Sequence, residues 1–211
     1  MAGGPSQQRS EVDSGDPGGD RERLVAAISR AAGEQGYDKL TVEHVIRYAG
    51  VPLATFYEHF ATTEQGLIAA QDAFLDRIWL DVLDSCEAIE GWPAKVSAAV
   101  RTIVLTLAEA SALARVFAVE ATAASFAAAE RHYAALDRFA RLLRDGRDHY
   151  PQASGLPPSA ELAVVGGIAS IISRHLLAEE PKALAEMEPE LVELVLLPYV
   201  GLRQASRIAR G

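Results

Sequence analysis

The chain has 211 residues, 49% of them hydrophobic, which is enough for one or two small domains with a buried core. A formal net charge of −9 is not typical of a protein that binds nucleic acid through a broad basic surface. The single cysteine, Cys86, excludes an intramolecular disulfide and every multi-cysteine metal site. Because Cys86 falls on an apolar helical stripe, a buried structural thiol is favoured over a redox sensor.

Membrane contact is not expected from the sequence. No apolar run follows a basic N-terminus, and the most apolar stretch, residues 162–172, is too short to cross a hydrocarbon core of about 30 Å. We therefore expect a soluble, cytoplasmic protein.

The N-terminal segment is expected to be irregular. Residues 1–19 are rich in Gly, Pro, Ser and Asp and lack apolar periodicity, which predicts a disordered tail. An arm that enters a DNA groove is the alternative, but such arms are basic whereas this segment is acidic. A first helix is then predicted over residues 21–36, with an apolar stripe from Leu24 to Ala32 and Gly36 at its end.

Residues 41–60 predict two short helices separated by a tight turn. Thr41 suits the cap of the first helix, and Gly50 lies where the turn requires a positive φ. Pro52 suits the first position of the second helix. This arrangement is a helix-turn-helix, and the preceding helix would complete its core.

A long helix is predicted over residues 63–87, opened by the capping-box pair Thr62 and Gln65. The later apolar repeats have helical spacing, and no convincing β-alternation is present. Further helices are predicted from residue 92, from residue 111, over about 25 residues up to Tyr150, over 159–178 and over 188–209. The fold class is therefore all-α, with about nine helices.

The last two helices predict an interface between subunits. No residue between Glu161 and Arg174 is charged, so this helix has no polar face and must be enclosed on every side. A four-helix interface shared by two copies would enclose it, and an ordinary intrachain core is the alternative. The predicted interface residues are Ala163, Gly166, Gly167, Ser170, Leu194, Pro198 and Leu202.

The segment VIRYAGVPLATFYEHF at residues 45–60, followed by Thr62, Glu64 and Leu67, resembles the DNA-binding signature of the TetR family of bacterial transcription regulators. The resemblance implies a homodimer with a DNA-binding head and a ligand-responsive body. The implied parts are a disordered tail over 1–19, a three-helix helix-turn-helix DNA-binding head over 20–66, and a helical ligand-binding and dimerisation domain over 67–211.

Four positions depart from the family pattern. They are Ile46 in place of a small Ala, Pro52 in place of a capping Ser, Thr63 in place of a phosphate-contacting Lys, and Gly66 in place of an apolar residue. Residues 21–66 also carry five basic and six acidic side chains, a net charge of −1. These features favour, as the alternative, a helical interaction protein that keeps the fold without binding DNA.

The DNA contacts are predicted to come from the second helix of the motif and its surroundings. Leu53, Ala54 and Thr55 would face the groove, where their methyl groups suit a thymine methyl. By resemblance, Tyr57 and His59 would contact the backbone, assisted by Thr41, and Thr63 takes the position of the phosphate-contacting Lys. Arg47 is the long side chain best placed to reach DNA from the preceding helix.

The resemblance also implies an inducer pocket in the C-terminal domain, lined by mostly apolar groups. The candidates are Trp79, Ile103, Leu107, Phe117, Glu120, Tyr133 and Leu136, and plain core packing is the alternative for each of them. The Ala-rich stretch 121–129 would leave room for a cavity. An apolar or aromatic small molecule is the expected ligand.

The sequence therefore predicts a ligand-responsive transcriptional regulator, most simply a repressor that binds a pseudo-palindromic DNA operator as a dimer. No phosphate loop, nucleophile elbow or paired-His metal spacing is present, so we expect no enzymatic activity and no cofactor. A small all-α enzyme using His132 or Glu120 is the remaining alternative.

Overall fold

The computed structural model describes residues 17–210, and this range contains helices and no β-strand. The all-α prediction is confirmed. The helices are α1 (Pro17–Gln35), α2 (Val42–Ala49), α3 (Leu53–His59), α4 (Thr63–Glu87), α5 (Trp92–Glu109), α6 (Ser111–Arg115), α7 (Ala121–Ala124), α8 (Phe126–Arg144), α9 (Gly146–His149), α10 (Ala160–Leu177), α11 (Pro181–Glu186), α12 (Glu188–Val200) and α13 (Leu202–Arg210). A π-helical turn, Val116–Glu120, joins α6 to α7, and a 3-10 turn, Pro151–Gly155, precedes α10.

The helix boundaries differ from the predicted ones in three places. Helix α1 begins at Pro17, so the last three residues of the predicted tail are helical, whereas residues 1–16 lie outside the described part. The predicted helix of about 25 residues up to Tyr150 begins at Phe126, where Ser125 accepts a capping hydrogen bond from Ala128 N at 3.3 Å, but α8 ends at Arg144 and the separate short α9 follows. The predicted final helix is interrupted at Gly201, whose φ of 75° lies outside the helical region.

Helices α1, α2 and α3 pack with the start of α4 around one apolar core. Leu24, Ile28, Val45 and Phe56 are fully buried there. Gly66 of α4 allows α1 to approach closely, because a Cβ at this position would lie 2.6 Å from Ile28 Cδ1. This close approach gives a physical reason for glycine at one of the positions that depart from the family pattern.

The remaining helices form a second core, in which α5 runs back along α4 and α8 packs against α4 and α10. At the end remote from α1–α3, Arg147 donates to both carboxylate oxygens of the fully buried Glu161, at 2.6 and 2.9 Å. Tyr199 of α12 donates its hydroxyl proton to the same carboxylate at 3.3 Å. The pKa of Glu161 is lowered chiefly by the hydrogen bonds from Arg147, and the pKa of Tyr199 is raised by burial.

Helix α10 lies within the predicted range 159–178, and most of its residues are not buried within the subunit. By length and composition it meets the criterion for crossing a membrane, contrary to the expectation drawn from residues 162–172, and only 22% of it is buried within the subunit. Trp92–Glu109 and Ser111–Ala124 pass the same test only when counted as one segment, and they are bent by 100°. One such helix is weak evidence for a membrane span.

Candidate DNA-binding surface and ligand cavity

The helix-turn-helix is built by local capping interactions. Thr41 Oγ1 accepts a hydrogen bond from His44 N at 3.4 Å at the start of α2. At its end Gly50 adopts φ 66°, and its N–H donates to Ile46 O at 2.9 Å. Helix α3 follows directly from Pro52, which makes no side-chain capping bond. The turn is therefore fixed by glycine geometry and the α3 start by the fixed φ of proline.

The two faces of α3 have opposite environments. Phe56 is fully buried in the head core and Phe60 nearly so. On the outer face, Leu53 is 48% exposed and Tyr57 55% exposed, and Ala54 is exposed beside them. These exposed side chains do not pack into the core, so this face is available for contact with another molecule.

The other predicted DNA-contacting residues lie around this face. Thr41 and Arg47 are exposed, whereas Thr55, His59 and Thr63 are partly buried. Thr63 opens α4, whose capping box is formed by Thr62 and Gln65: Thr62 Oγ1 accepts from Gln65 N at 3.2 Å and Gln65 Oε1 accepts from Ala61 N at 2.9 Å.

One further residue of the outer α3 face, Glu58, was not among the DNA-contacting residues predicted from the sequence. It is exposed, and the spacing of Leu53, Ala54 and Tyr57 would have placed it on the same face. Its carboxylate is an acceptor of the kind that reads the cytosine amino group.

The arginines of the head differ in whether they already form an ion pair within the head. Arg30 pairs with Glu34 at 3.0 Å and lies over the Tyr48 ring at 4.8 Å, and Arg23 pairs with Asp20. Arg47 lies over the same Tyr48 ring, with its Cζ 5.7 Å from the ring centroid, and makes no ion pair within residues 17–210. Arg47 is therefore free to pair with an external anion.

A cavity of about 660 Å³ lies between α4, α5, α8 and α10. Four of the seven predicted ligand-binding residues line it, namely Ile103, Leu107, Phe117 and Leu136. Its lining is overwhelmingly apolar, and small side chains such as Ala99, Ala135 and Ala169 leave the space open. The Ala-rich stretch 121–129, expected to leave room for it, does not line it.

The other three predicted ligand-binding residues lie away from the cavity. Trp79 packs against Phe139 with ring centroids 5.5 Å apart and is covered by Arg138, and Tyr133 is 64% exposed. Glu120 instead accepts a hydrogen bond from Tyr37 N at 2.9 Å and pairs with Arg115 at 3.1 Å. These contacts give Glu120 a structural role between the two cores.

The polar groups of the cavity lie at its two ends. His132 and Ser173 lie towards the head, and burial lowers the pKa of His132, which keeps the imidazole neutral at physiological pH. The opposite end carries charged side chains, which are Asp84, Glu87, Lys95 and Asp145. Cys86 also lines this end, and its thiol donates to Lys95 O at 3.4 Å.

The π-helical turn Val116–Glu120 connects the cavity to the head. Phe117 lines the cavity, contacts Phe74 with ring centroids 5.6 Å apart, and belongs to the buried core of the head. Its carbonyl oxygen accepts a hydrogen bond from the buried Gln71 Nε2 at 3.0 Å. π-Helical turns within α-helical segments occur often at functional sites.

The predicted interface residues lie on a surface with little cover. Ala163, Gly167 and Ser170 are exposed, and a Cβ added at Gly166 or Gly167 would meet no atom within 4 Å. Leu194, Leu202 and, partly, Pro198 are exposed on α12 and α13. Leu162, Leu177 and Leu197 add to this apolar area.

Metal chemistry finds no support within residues 17–210, where no group of three or more His, Cys, Asp or Glu side chains is placed to hold an ion.

Comparison with known proteins gives a family for the head and a fold for the whole chain. Residues 24–70 match the model of bacterial regulatory proteins of the tetR family, which confirms the resemblance drawn from the sequence. None of the curated proteins compared with the chain matches it.

Several solved structures share the fold. The fatty acid degradation regulator FadR from Bacillus halodurans has a TM-score of 0.73 at 19% identity, covering 83% of this chain and 97% of that one. RolR in complex with resorcinol has a TM-score of 0.67 at 18% identity, covering 92% and 94%. FadR from Bacillus subtilis in complex with stearoyl-CoA has a TM-score of 0.63 at 17% identity, covering 82% and 96%. At these identities the likeness establishes a common fold.

Proposed function

Since residues 24–70 belong to the tetR family of bacterial regulatory proteins, we propose that the chain is a cytoplasmic, ligand-responsive transcriptional repressor without enzymatic activity. It binds a pseudo-palindromic DNA operator as a homodimer and is released by a small, largely apolar inducer. Residues 20–66 form the DNA-binding unit and residues 67–211 the ligand-binding and dimerisation unit. The observation that carries this proposal is the position of Phe117, one side chain that belongs to both the cavity wall and the head core.

DNA is bound through the outer face of α3. Leu53, Ala54 and Thr55 present apolar groups to base edges, Tyr57 and His59 contact the backbone, and Arg47 pairs with a phosphate. Thr41 and Thr63 lie at helix starts, where backbone N–H groups favour phosphate. In a dimer the two α3 helices must lie about 34–36 Å apart to read successive major grooves.

Dimerisation occurs through the exposed faces of α10, α12 and α13. Burying these leucines removes apolar surface from water, and the open space at Gly166 and Gly167 permits close helix approach. A Cβ at Gly167 meets no atom within 4 Å, so Gly167→Arg should leave the subunit folded and convert the dimer to a monomer, measured by analytical ultracentrifugation. The control is Ala134→Arg on exposed α8, which should leave the dimer intact; a dimer that survives Gly167→Arg contradicts this interface.

The inducer occupies the cavity. Proteins of this fold are known with ligands as different as resorcinol and stearoyl-CoA, so the body of the fold accepts varied apolar shapes. In this chain the volume falls in the range of ordinary ligand sites, and the lining favours a lipophilic ligand.

Ligand and DNA are coupled through the π-helical turn. A ligand that displaces Phe117 also strains the bonds from Gln71 to Phe117 O and from Tyr37 N to Glu120, which hold the head against the body. The ligand shifts the equilibrium between head positions only by its difference in affinity for the two states. A coupling of 1–3 kcal/mol, roughly 5–150-fold in DNA affinity, is ordinary for such proteins.

The test is an electrophoretic mobility-shift assay with a DNA site selected by the full chain. Tyr57→Ala and Arg47→Ala should each weaken binding about tenfold or more, because each removes a group from the exposed contact face. The matched controls are Tyr133→Ala and Arg141→Ala on α8, which carry the same chemistry away from the head. Unchanged binding by both head variants would overturn the assignment of this face.

One observation favours a second function, a helical interaction protein that does not bind DNA. Glu43 and Glu58 are exposed on α2 and α3, and acidic side chains there oppose phosphate. The two functions differ in salt dependence. DNA affinity that falls steeply between 50 and 200 mM salt supports the regulator, and the absence of any selected DNA site supports the interaction protein.

A further inference from the structure

The cavity is a channel, and its direction follows from the packing of α4 and α8. Arg131 pairs with Asp72 at 3.8 Å, Arg138 with Asp76 at 2.7 Å, and Trp79 contacts Phe139, so these helices run side by side in the same direction. The cavity is lined on α4 from Phe74 to Glu87 and, over the same number of residues, from His132 to Asp145 along the α8 side. At a rise of 1.5 Å per residue, the channel is about 20 Å long.

This shape limits the width of the ligand. A volume of about 660 Å³ over that length leaves a mean cross-section of about 33 Å², enough for one alkyl chain or a narrow ring system. Successive C–C bonds of about 1.5 Å advance an extended chain by about 1.25 Å each, so about sixteen carbons span the channel.

The charged and polar residues at the two ends of the channel restrict the kind of polar group that the ligand can carry. The outer end carries three carboxylates, Asp84, Glu87 and Asp145, against the single cation Lys95, which repels an anionic group. At the inner end His132 lies beside Ser173, and the rest of the wall there is apolar. A neutral imidazole there offers one donor and one acceptor to a ligand hydroxyl or carbonyl.

We propose that the channel binds an elongated lipophile of about sixteen-carbon length whose single polar group is uncharged and pairs with His132. This inference rests on the cavity assigned to the inducer in the proposed function and specifies the chemical class of that ligand.

Chain length is tested with 1-alkanols of six to eighteen carbons, delivered from cyclodextrin to the full chain. Binding is followed by protection of Cys86, the single cysteine, from iodoacetamide, because its thiol lines the outer end. Affinity should rise about fourfold per added CH₂ up to about sixteen carbons and then level off. Levelling below ten carbons would indicate a compact pocket and overturn the proposal.

The polar end is tested by changing it at fixed chain length. Hexadecanoate should bind at least tenfold more weakly than 1-hexadecanol, and tighter binding of the carboxylate would overturn the proposal. His132→Phe should weaken binding of the alkanol about fivefold and leave binding of a 1-chloroalkane of equal length unchanged, since only the alkanol loses a hydrogen bond. Equal weakening of both probes would contradict the pairing with His132.

The direction of the channel is tested by blocking it midway. Ala99→Phe on α5 narrows the middle, so affinity should level off at about half the chain length, whereas the control Ala94→Phe on the exposed face of α5 should leave the levelling point unchanged. Affinity that still rises up to sixteen carbons in Ala99→Phe would overturn the proposal. The alkanol assays contain no DNA, so the mobility-shift assay is run separately. Alkanol binding that leaves the DNA affinity unchanged would refute ligand-responsive control alone. DNA binding without alkanol binding would refute this inference alone.

Discussion

The head and the body of this protein relate to their sequence in different ways. In the head, each turn is set by residues within a few positions, such as Thr41 with His44 and Gly50 with Ile46. In the body, the cavity and the Glu161 cluster join residues separated by tens of positions, as Tyr199 and Glu161 do. A local motif therefore identifies the head, while the body is defined by contacts that only folding brings together.

The largest expected effect comes from a substitution in the head core, and it tests whether the head and the body unfold separately. Phe56→Ala empties the centre of the head core and should lower the free energy of unfolding by about 3–5 kcal/mol. Thermal unfolding followed by circular dichroism checks it, with DNA binding and alkanol binding measured in parallel. Lost DNA binding with retained alkanol binding supports separate cores, whereas simultaneous loss of both would mean that head and body unfold as one unit.

The next effect concerns the buried ion pair of the body. Glu161→Gln leaves Arg147 without its charged partner and should cost about 3 kcal/mol at pH 7. Because the pKa of Glu161 is lowered in the folded state, the wild-type advantage is present above its unfolded pKa of about 4.3 and is lost as the pH falls through the folded value. Urea unfolding from pH 7 to 3 should show the two proteins converging at low pH. A gap that is constant with pH would contradict the ionic role of Glu161.

A smaller effect is expected at the junction of the two regions. Phe117→Leu keeps an apolar side chain in the cavity wall but loses the ring contact with Phe74, at a cost of about 1–2 kcal/mol. Alkanol affinity should change less than threefold, while the effect of alkanol on DNA affinity should fall about fivefold. Calorimetric titration and mobility shifts in the same buffer check this, and an unchanged ligand effect on DNA would remove Phe117 from the coupling route.

The smallest effect lies in the turn of the head. Gly50→Ala meets no atom within 4 Å, so its cost is the left-handed backbone alone, about 1 kcal/mol. The melting temperature should fall by a few degrees, and Gly155→Ala, which has the same open space and an ordinary φ, serves as the control. Equal behaviour of the two variants would show that the φ of Gly50 is not the constraint.

The same contrast explains what the sequence could and could not predict. The helix-turn-helix, the capping box and the all-α class follow from local spacing, and the family resemblance follows from the same residues. Four of the pocket candidates named from the family resemblance line the cavity, but Trp79 and Tyr133 do not. The position of a residue on its own helix does not determine which neighbouring helix its side chain faces. The role of Glu120 depends on a hydrogen bond to Tyr37 across 83 positions, which no local pattern contains.

The most direct test of the central claim is sequencing of the DNA that the full chain enriches from random duplexes. A pair of heads presenting the outer face of α3 predicts an enriched pseudo-palindrome whose half-sites lie about one helical turn apart. Gly167→Arg should select the same half-site singly and weakly. Absence of enrichment, or enrichment that persists in Tyr57→Ala and Arg47→Ala, would contradict the claim that this face binds DNA.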